Sequence, residues 1–196
     1  MAGKGSSFER LIARRLSEWW TQDEDPPRTD VFWRSTTSGA RATGRAKKGL
    51  KTKNSCGDIC AIDPIGQSLL DLVTIECKRG YNSDSIQDLL DKGPKAAKQT
   101  YQKWIEKAIR DHEQAGSFSW LLIVKRDKRE PLVLCPRKLM EVLFDWWISD
   151  RAGEDMEDGT CGTPLMEMDI RVGKERMFLT AMPLDHWLNL ISPEDV

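Results

Sequence analysis

The sequence predicts an α/β fold, in which a mixed central β-sheet is flanked by helices and followed by a small C-terminal extension. Segments with helical spacing of apolar residues alternate with short runs rich in branched apolar residues, which is the pattern of helices packed on a sheet. The length of 196 residues suits one domain. No apolar stretch approaches the roughly 20 residues that span a bilayer.

The N-terminal part predicts a helix, a strand and a loop. Apolar residues recur at helical spacing over 6–20, and Ser6 followed by Glu9 fits a capping box at the start of that helix. Residues 31–37 have the composition of a strand. Residues 38–55 are rich in Gly, Lys and Arg and contain few apolar side chains, so they predict a loop.

The next part predicts a β-hairpin. Residues 57–63 and 69–78 have strand composition, and Asp63-Pro64-Ile65-Gly66 between them has the residues of a β-turn. A hairpin centred near Gln67 brings Asp58 roughly opposite Glu76. Side chains alternate across a strand, so Glu76 and Lys78 leave from the same face.

The remaining elements complete the sheet and its helical layers. A long helix is predicted over 94–115, since Pro94 suits its first turn and Gly116 follows its end. The polar turn 126–129 separates two strands. The other predicted elements are strands over 118–125 and 130–135, a helix over 136–149, strands over 165–172 and 176–181, and a helix over 184–191.

Composition and charge limit the classes of protein. The chain has five cysteines, no C-x-x-C pair and no signal-peptide pattern, so we expect neither a disulfide framework nor a zinc site, and a cytoplasmic location. The net charge of −1 conceals an uneven distribution of charge along the chain. Residues 34–53 carry basic residues and no acidic ones, whereas 154–158 is acidic. The basic residues of that span are Arg34, Arg41, Arg45, Lys47, Lys48, Lys51 and Lys53.

Two carboxylates and a lysine gathered at a strand end predict a metal-dependent hydrolytic site. Asp58 and Glu76 repel each other when they lie close together, and a divalent cation relieves that repulsion. Oxygen donors favour Mg²⁺ or Mn²⁺. Lys78 is then placed to orient water or to stabilise charge on a phosphate. The basic span would hold the polyanion.

Asp58 followed by Glu76-Cys77-Lys78 resembles the D…E-x-K core of the PD-(D/E)XK nuclease superfamily, with Gly57 in place of the motif's proline. The helix with Glu9, the strand ending in Arg34-Ser35 and the basic loop are similar to archaeal and phage Holliday-junction resolvases, which act in DNA recombination and repair. The resemblance covers about 6–136. It implies a restriction-endonuclease-like nuclease core over 1–136, with 137–196 as an extension packed on the same domain.

The resemblance also assigns roles. Glu9, Asp58 and Glu76 would bind Mg²⁺ or Mn²⁺, and Lys78 would assist the nucleophilic water. Branched duplex DNA would be the substrate, a homodimer the active form and a bacterial or phage-infected cell the setting. Further candidates for DNA contact are Ser35, Ser38 and the basic residues of 34–53, and weaker candidates for the site are Gln99 and Gln102.

Several alternatives stay open at this point. Glu9 is explained by the capping box without any metal, and the basic span by a solvated loop. One alternative is another nuclease of the same fold, either a restriction-like enzyme or a recombination exonuclease. A second alternative is a catalytically silent nucleic-acid-binding module.

Overall fold

The computed structural model describes residues 4–35, 56–91, 100–150, 166–172 and 175–196. Those residues contain six α-helices and seven β-strands. The helices are α1 (Lys4–Trp20), α2 (Gln67–Leu72), α3 (Asp88–Asp91), α4 (Thr100–Ala115), α5 (Arg137–Asp150) and α6 (Leu184–Leu190). The strands are β1 (Phe32–Arg34), β2 (Ile59–Ala61), β3 (Val73–Arg79), β4 (Ser119–Lys125), β5 (Leu132–Pro136), β6 (Met166–Val172) and β7 (Glu175–Pro183).

The main sheet is mixed and has the strand order β3-β4-β5-β7-β6. Strands β3 and β4 are parallel and are connected through α4, whereas the other neighbouring pairs are antiparallel. The sheet confirms the predicted α/β fold. Of the two strands from the C-terminal part, β7 pairs with β5 and β6 pairs with β7, so both continue the same sheet.

Helices cover both faces of this sheet, because its strands alternate two sets of apolar side chains. On one face, α1, α5 and α6 pack against residues such as Ile75, Leu121 and Val133. On the other face, α4 packs against Leu122, Val124 and others. Glu76 and Lys78 alternate with Ile75 and Cys77 along β3, so they leave from the face that α4 covers.

The predicted hairpin is wrong. Strand β2 pairs with β1 instead of β3, and Pro64–Gly66 forms a 3₁₀ turn that runs into α2. The Asp63 side chain accepts a hydrogen bond from Ile65 N and caps this turn. Residues 69–72 are therefore helical, and only the rest of the predicted strand belongs to β3.

The capping box is also not formed, since α1 begins at Lys4 and already contains Ser6 and Glu9. Helix α3 was not predicted, whereas the remaining described elements agree with the predictions to within a few residues. Helix α4 begins at Thr100 and is followed by Gly116, whose φ of 78° and N–H bond to His112 O give the expected end. Residues 36–37 of the predicted strand and 94–99 of the predicted helix lie outside the described residues.

In the described part of the chain, no helix has both the length and the apolar character needed to cross a bilayer.

Candidate active site

Glu76 lies at the centre of a buried charge cluster on strand β3. Its side chain is fully buried, and Lys78 Nζ lies 2.7 Å from Glu76 Oε2. The same ammonium lies 3.1 Å from Asp58 Oδ2 and donates to Cys77 O at 3.1 Å. Because a buried carboxylate without partners is unfavourable, these contacts offset the cost of burying Glu76.

Asp58 reaches this cluster from the segment before β2. Its backbone N–H donates to Ile75 O at 2.7 Å, and its Oδ2 accepts from Cys77 N at 2.8 Å. The segment therefore lies along the outer edge of β3. Asp58 is close to Glu76, as expected, although a hairpin does not bring it there.

Gly57 makes this close approach possible. Its φ is 77°, and a Cβ at this position would lie 2.7 Å from Ile75 O and 2.9 Å from Thr74 Cγ2. Proline fixes φ near −65°, so it cannot adopt this backbone. The glycine in place of the motif's proline thus has a physical reason in this chain.

Gly57→Ala is expected to lower the free energy of unfolding by on the order of 2 kcal/mol or more, from backbone strain together with the steric clash. Urea unfolding measures the change. Gly80→Ala is the matched control, since Gly80 also has a positive φ, of 97°, but a Cβ there meets nothing within 4 Å. Equal losses in the two variants would show that the close approach to Ile75 has no energetic weight.

Glu9 lies beside the cluster on α1. Arg34 Nε is 3.3 Å from Glu9 Oε2, at an angle outside hydrogen-bonding geometry. Ser35 is buried and its N–H donates to Asp58 O at 2.9 Å, so β1 connects Glu9 with Asp58. Glu9 is therefore a neighbour of the candidate site, and the helix cap that would have explained it otherwise is absent.

Burial and neighbouring negative charge raise the pKa of two carboxyls of the site, those of Asp58 and Glu9. Burial and the charge of Glu76 raise the pKa of Asp58. Burial and the charge of Asp58 likewise raise the pKa of Glu9. Burial lowers the pKa of Lys78, but Glu76 and Asp58 outweigh it, so that the pKa stands above its ordinary value and the amine is held as an ammonium.

Lys107 on α4 is a member of the cluster that the sequence did not predict. It contacts Glu76 Oε1 in a short ion pair and Asp111 Oδ2 at 2.6 Å. The i,i+4 spacing of Lys107 and Asp111 was a visible signal for the second pair. The first pair depends on how α4 crosses β3, which local patterns do not specify.

The donor chemistry fits a hard divalent cation. Asp58 and Glu76 offer carboxylate oxygens beside the carbonyl of Cys77, and Glu9 adds a third acid nearby. Among the described residues, however, no three His, Cys, Asp or Glu side chains converge into a ready-made ion site. Both oxygens of Glu76 contact lysine ammoniums, so cation binding requires at least one of these contacts to be exchanged.

Three of the other predicted residues, Arg34, Ser35 and Gln102, lie in the described part of the chain. Arg34 lies next to Glu9, and the N–H of Ser35 donates to Asp58 O; their contact with DNA stays a prediction. Gln102 lies on α4 about 140° around the helix axis from Lys107. The following residues lie outside the described part of the chain: Ser38, Arg41, Arg45, Lys47, Lys48, Lys51, Lys53 and Gln99.

Comparisons with known proteins gave one match. A protein-family model described as "Phage putative PDDEXK endonuclease" matches residues 2–196, which is nearly the whole chain. Neither a search of curated proteins nor a search of solved structures gave a match.

Proposed function

The chain belongs to the phage putative PDDEXK endonuclease family, and from that premise we propose that it is a Mg²⁺- or Mn²⁺-dependent DNA endonuclease acting on branched duplexes. The observation that carries the proposal is the contact of Lys78 with both Asp58 and Glu76. Two carboxylates and one lysine at the edge of a sheet match the D…E-x-K motif of the family.

Asp58 and Glu76 would hold the cation, and Glu9 would complete its surroundings. A divalent ion bound there would polarise a phosphoryl oxygen and lower the pKa of a bound water. The chain itself contributes a fixed geometry, because Asp58 accepts the Cys77 N–H and Ile75 O receives the Asp58 N–H.

Lys78 acts as a hydrogen-bond donor in this proposal. Its two carboxylate neighbours stabilise the ammonium, so it is suited to orient water or to bind the charge that develops on the phosphate. Lys107, on the other oxygen of Glu76, orients that carboxylate. Neither lysine needs to remove a proton for the reaction to proceed.

Two sequence features support the choice of substrate. Similarity of residues 6–136 to junction resolvases supports branched DNA, a homodimer and action within an infected cell. The basic span 34–53 supports a polyanionic partner, since each phosphate contacted adds salt-dependent affinity.

Glu9→Gln is expected to reduce cleavage about 10- to 100-fold and to raise the Mg²⁺ concentration needed for half-maximal cleavage. Its effect on the melting temperature should be small, because Arg34 Nε, which faces Glu9, makes no hydrogen bond. Glu18→Gln is the control on the same helix, where Glu18 pairs with Arg14 at the surface. Equal Mg²⁺ requirements for both variants would show that Glu9 does not take part in metal binding.

A cleavage assay tests the proposed function. Purified protein is incubated with a four-way DNA, the matching linear duplex and single-stranded DNA, each with Mg²⁺ and with chelator. We expect Mg²⁺-dependent internal cleavage of the four-way DNA and much weaker cleavage of the other two. Faster cleavage of linear duplex would show a restriction-like activity and contradict junction specificity. Release of end nucleotides would indicate an exonuclease.

The silent binding module is the second candidate. It predicts salt-sensitive DNA binding without turnover under any of these conditions. The assembled contacts of Asp58, Glu76 and Lys78 favour the enzyme.

A further inference from the structure

An open cavity lies at the C-terminal end of β4, on the face of the sheet covered by α4. Its volume is about 160 Å³, and it is lined by Tyr101, Val124, Arg126, Arg129, Glu130 and Leu132. A protein cavity of about 150 Å³ accommodates benzene. The space thus suits a six-membered aromatic ring, with two apolar residues, a tyrosine and two arginines among those that line it.

The cavity lies in the same row of the sheet as Lys78. In the register of the strands, Lys78 is the partner of Val124 and Val124 is the partner of Leu132. Neighbouring strands are about 4.8 Å apart, so the cavity walls lie roughly 5–10 Å from Lys78 along this row. A nucleotide next to the scissile phosphate would be at such a distance.

The two arginines are held together by a tight turn. Arg129 N donates to Arg126 O at 3.2 Å, and Lys125 Nζ donates to Arg129 O at 2.8 Å. The positive charge of Arg126 acts on Tyr101 and lowers its pKa against the larger rise caused by burial. Arg126 therefore lies near the tyrosine that forms part of the cavity wall.

The turn is also attached to the segment that follows the catalytic strand. Asn82 Oδ1 accepts from Asp127 N at 2.8 Å, and Asn82 Nδ2 donates to Asp127 Oδ2 at 3.0 Å. Gly80 N donates to Lys125 O at 3.1 Å. Whatever the arginines bind is thereby placed at a fixed distance from Lys78.

We propose that this cavity binds one unpaired nucleotide of the DNA substrate, its base against Tyr101, Val124 and Leu132 and its phosphate on Arg126 and Arg129. Glu130 at the rim would accept a hydrogen bond from an exocyclic amino group. The inference rests on the proposed function for its substrate. It adds that DNA with unstacked bases near the cleavage site is bound in preference to intact duplex, since a paired base cannot enter the cavity.

Binding is measured in an Asp58→Asn background, with a fluorescent duplex carrying a short unpaired bulge and with the fully paired duplex. The test variant is Arg126→Ala/Arg129→Ala. Its matched control is Arg171→Ala/Arg176→Ala, which removes the same charge near the opposite edge of the sheet. There Arg171 on β6 lies opposite Arg176 on β7 in the strand register. Leu132→Phe fills the cavity without changing the charge.

We expect the test variant to lose about tenfold of its preference for bulged DNA and to lower the salt slope by about 0.7 to 0.9, the change for one phosphate contact. The control should keep both properties, and Leu132→Phe should lose the preference but keep the slope. The proposal is overturned by equal weakening of both DNAs in the test variant, which would mark general phosphate contacts, or by an unchanged preference in Leu132→Phe. Bulge preference without Mg²⁺-dependent cleavage by the wild-type protein would refute the proposed function and leave the subsite intact.

Discussion

Asp58→Asn is expected to reduce DNA cleavage by on the order of 10³-fold while leaving the melting temperature unchanged or higher. The loss follows from removing one of two carboxylates that would hold the cation, since such an ion supplies several kcal/mol of transition-state stabilisation. The shape of the side chain and its acceptor for Cys77 N are retained in asparagine.

The stability part of this expectation follows from the raised pKa of Asp58. A carboxyl whose pKa is higher in the folded than in the unfolded state disfavours folding once the pH is above both values, because the ionised form is less well accommodated in the fold. At neutral pH a neutral asparagine therefore avoids both the cost of burying a negative charge and the repulsion by Glu76. It also loses the favourable contact with the charge of Lys78, which reduces the gain in stability. Function and stability oppose each other at this position.

Thermal unfolding and single-turnover cleavage measure the two effects in the same preparation. Asp30→Asn is the control, since Asp30 pairs at the surface with Arg28. A melting temperature several degrees lower in Asp58→Asn would show that the carboxylate stabilises the fold. The activity loss would then have a structural explanation.

Removal of residues 137–196 is expected to abolish cooperative folding. Strands β7 and β6 continue the main sheet beyond β5, and this segment buries apolar side chains in both layers. Each large buried side chain contributes about 1.5–3 kcal/mol, against a typical total stability of about 5–15 kcal/mol. The buried residues lost are Leu139, Met140, Leu143, Met168, Ile170, Val172, Leu179, Ala181, Met182, Leu184, Trp187 and Ile191.

Near-UV circular dichroism and urea titration of the 1–136 fragment, beside the full chain, measure this effect. The full chain should give one sigmoidal transition, and the fragment should give none. A sigmoidal transition and Mg²⁺-dependent cleavage by the fragment would show that residues 1–136 form an independent nuclease core.

Periodicity predicted most of the helices and strands, because apolar spacing at 3.6 or 2 residues is a local property. The hairpin was wrong for a local reason as well. Asp-Pro-x-Gly suits a β-turn, but Asp63 caps a 3₁₀ turn with the same residues. The run from Leu69 to Ile75, apolar except at Asp71 and Thr74, is equally compatible with a buried helix and a buried strand.

The candidate site was predictable in part. The common face of Glu76 and Lys78 follows from strand geometry alone, and the contact between them agrees with it. Asp58 comes close by pairing directly with Ile75. Lys107 and the cavity beside Arg126 depend on the packing of α4 and on the pairing of β3 with β4, which no local pattern specifies.

We propose above that Asp58 and Glu76 support metal-dependent hydrolysis of DNA. The most direct test follows cleavage of one labelled four-way DNA by wild-type protein and by Asp58→Asn, first in chelator and then after addition of excess Mg²⁺. We predict that only the wild-type protein cleaves, and only after Mg²⁺ is added. Cleavage in the presence of chelator, or equal cleavage by Asp58→Asn, would contradict the claim.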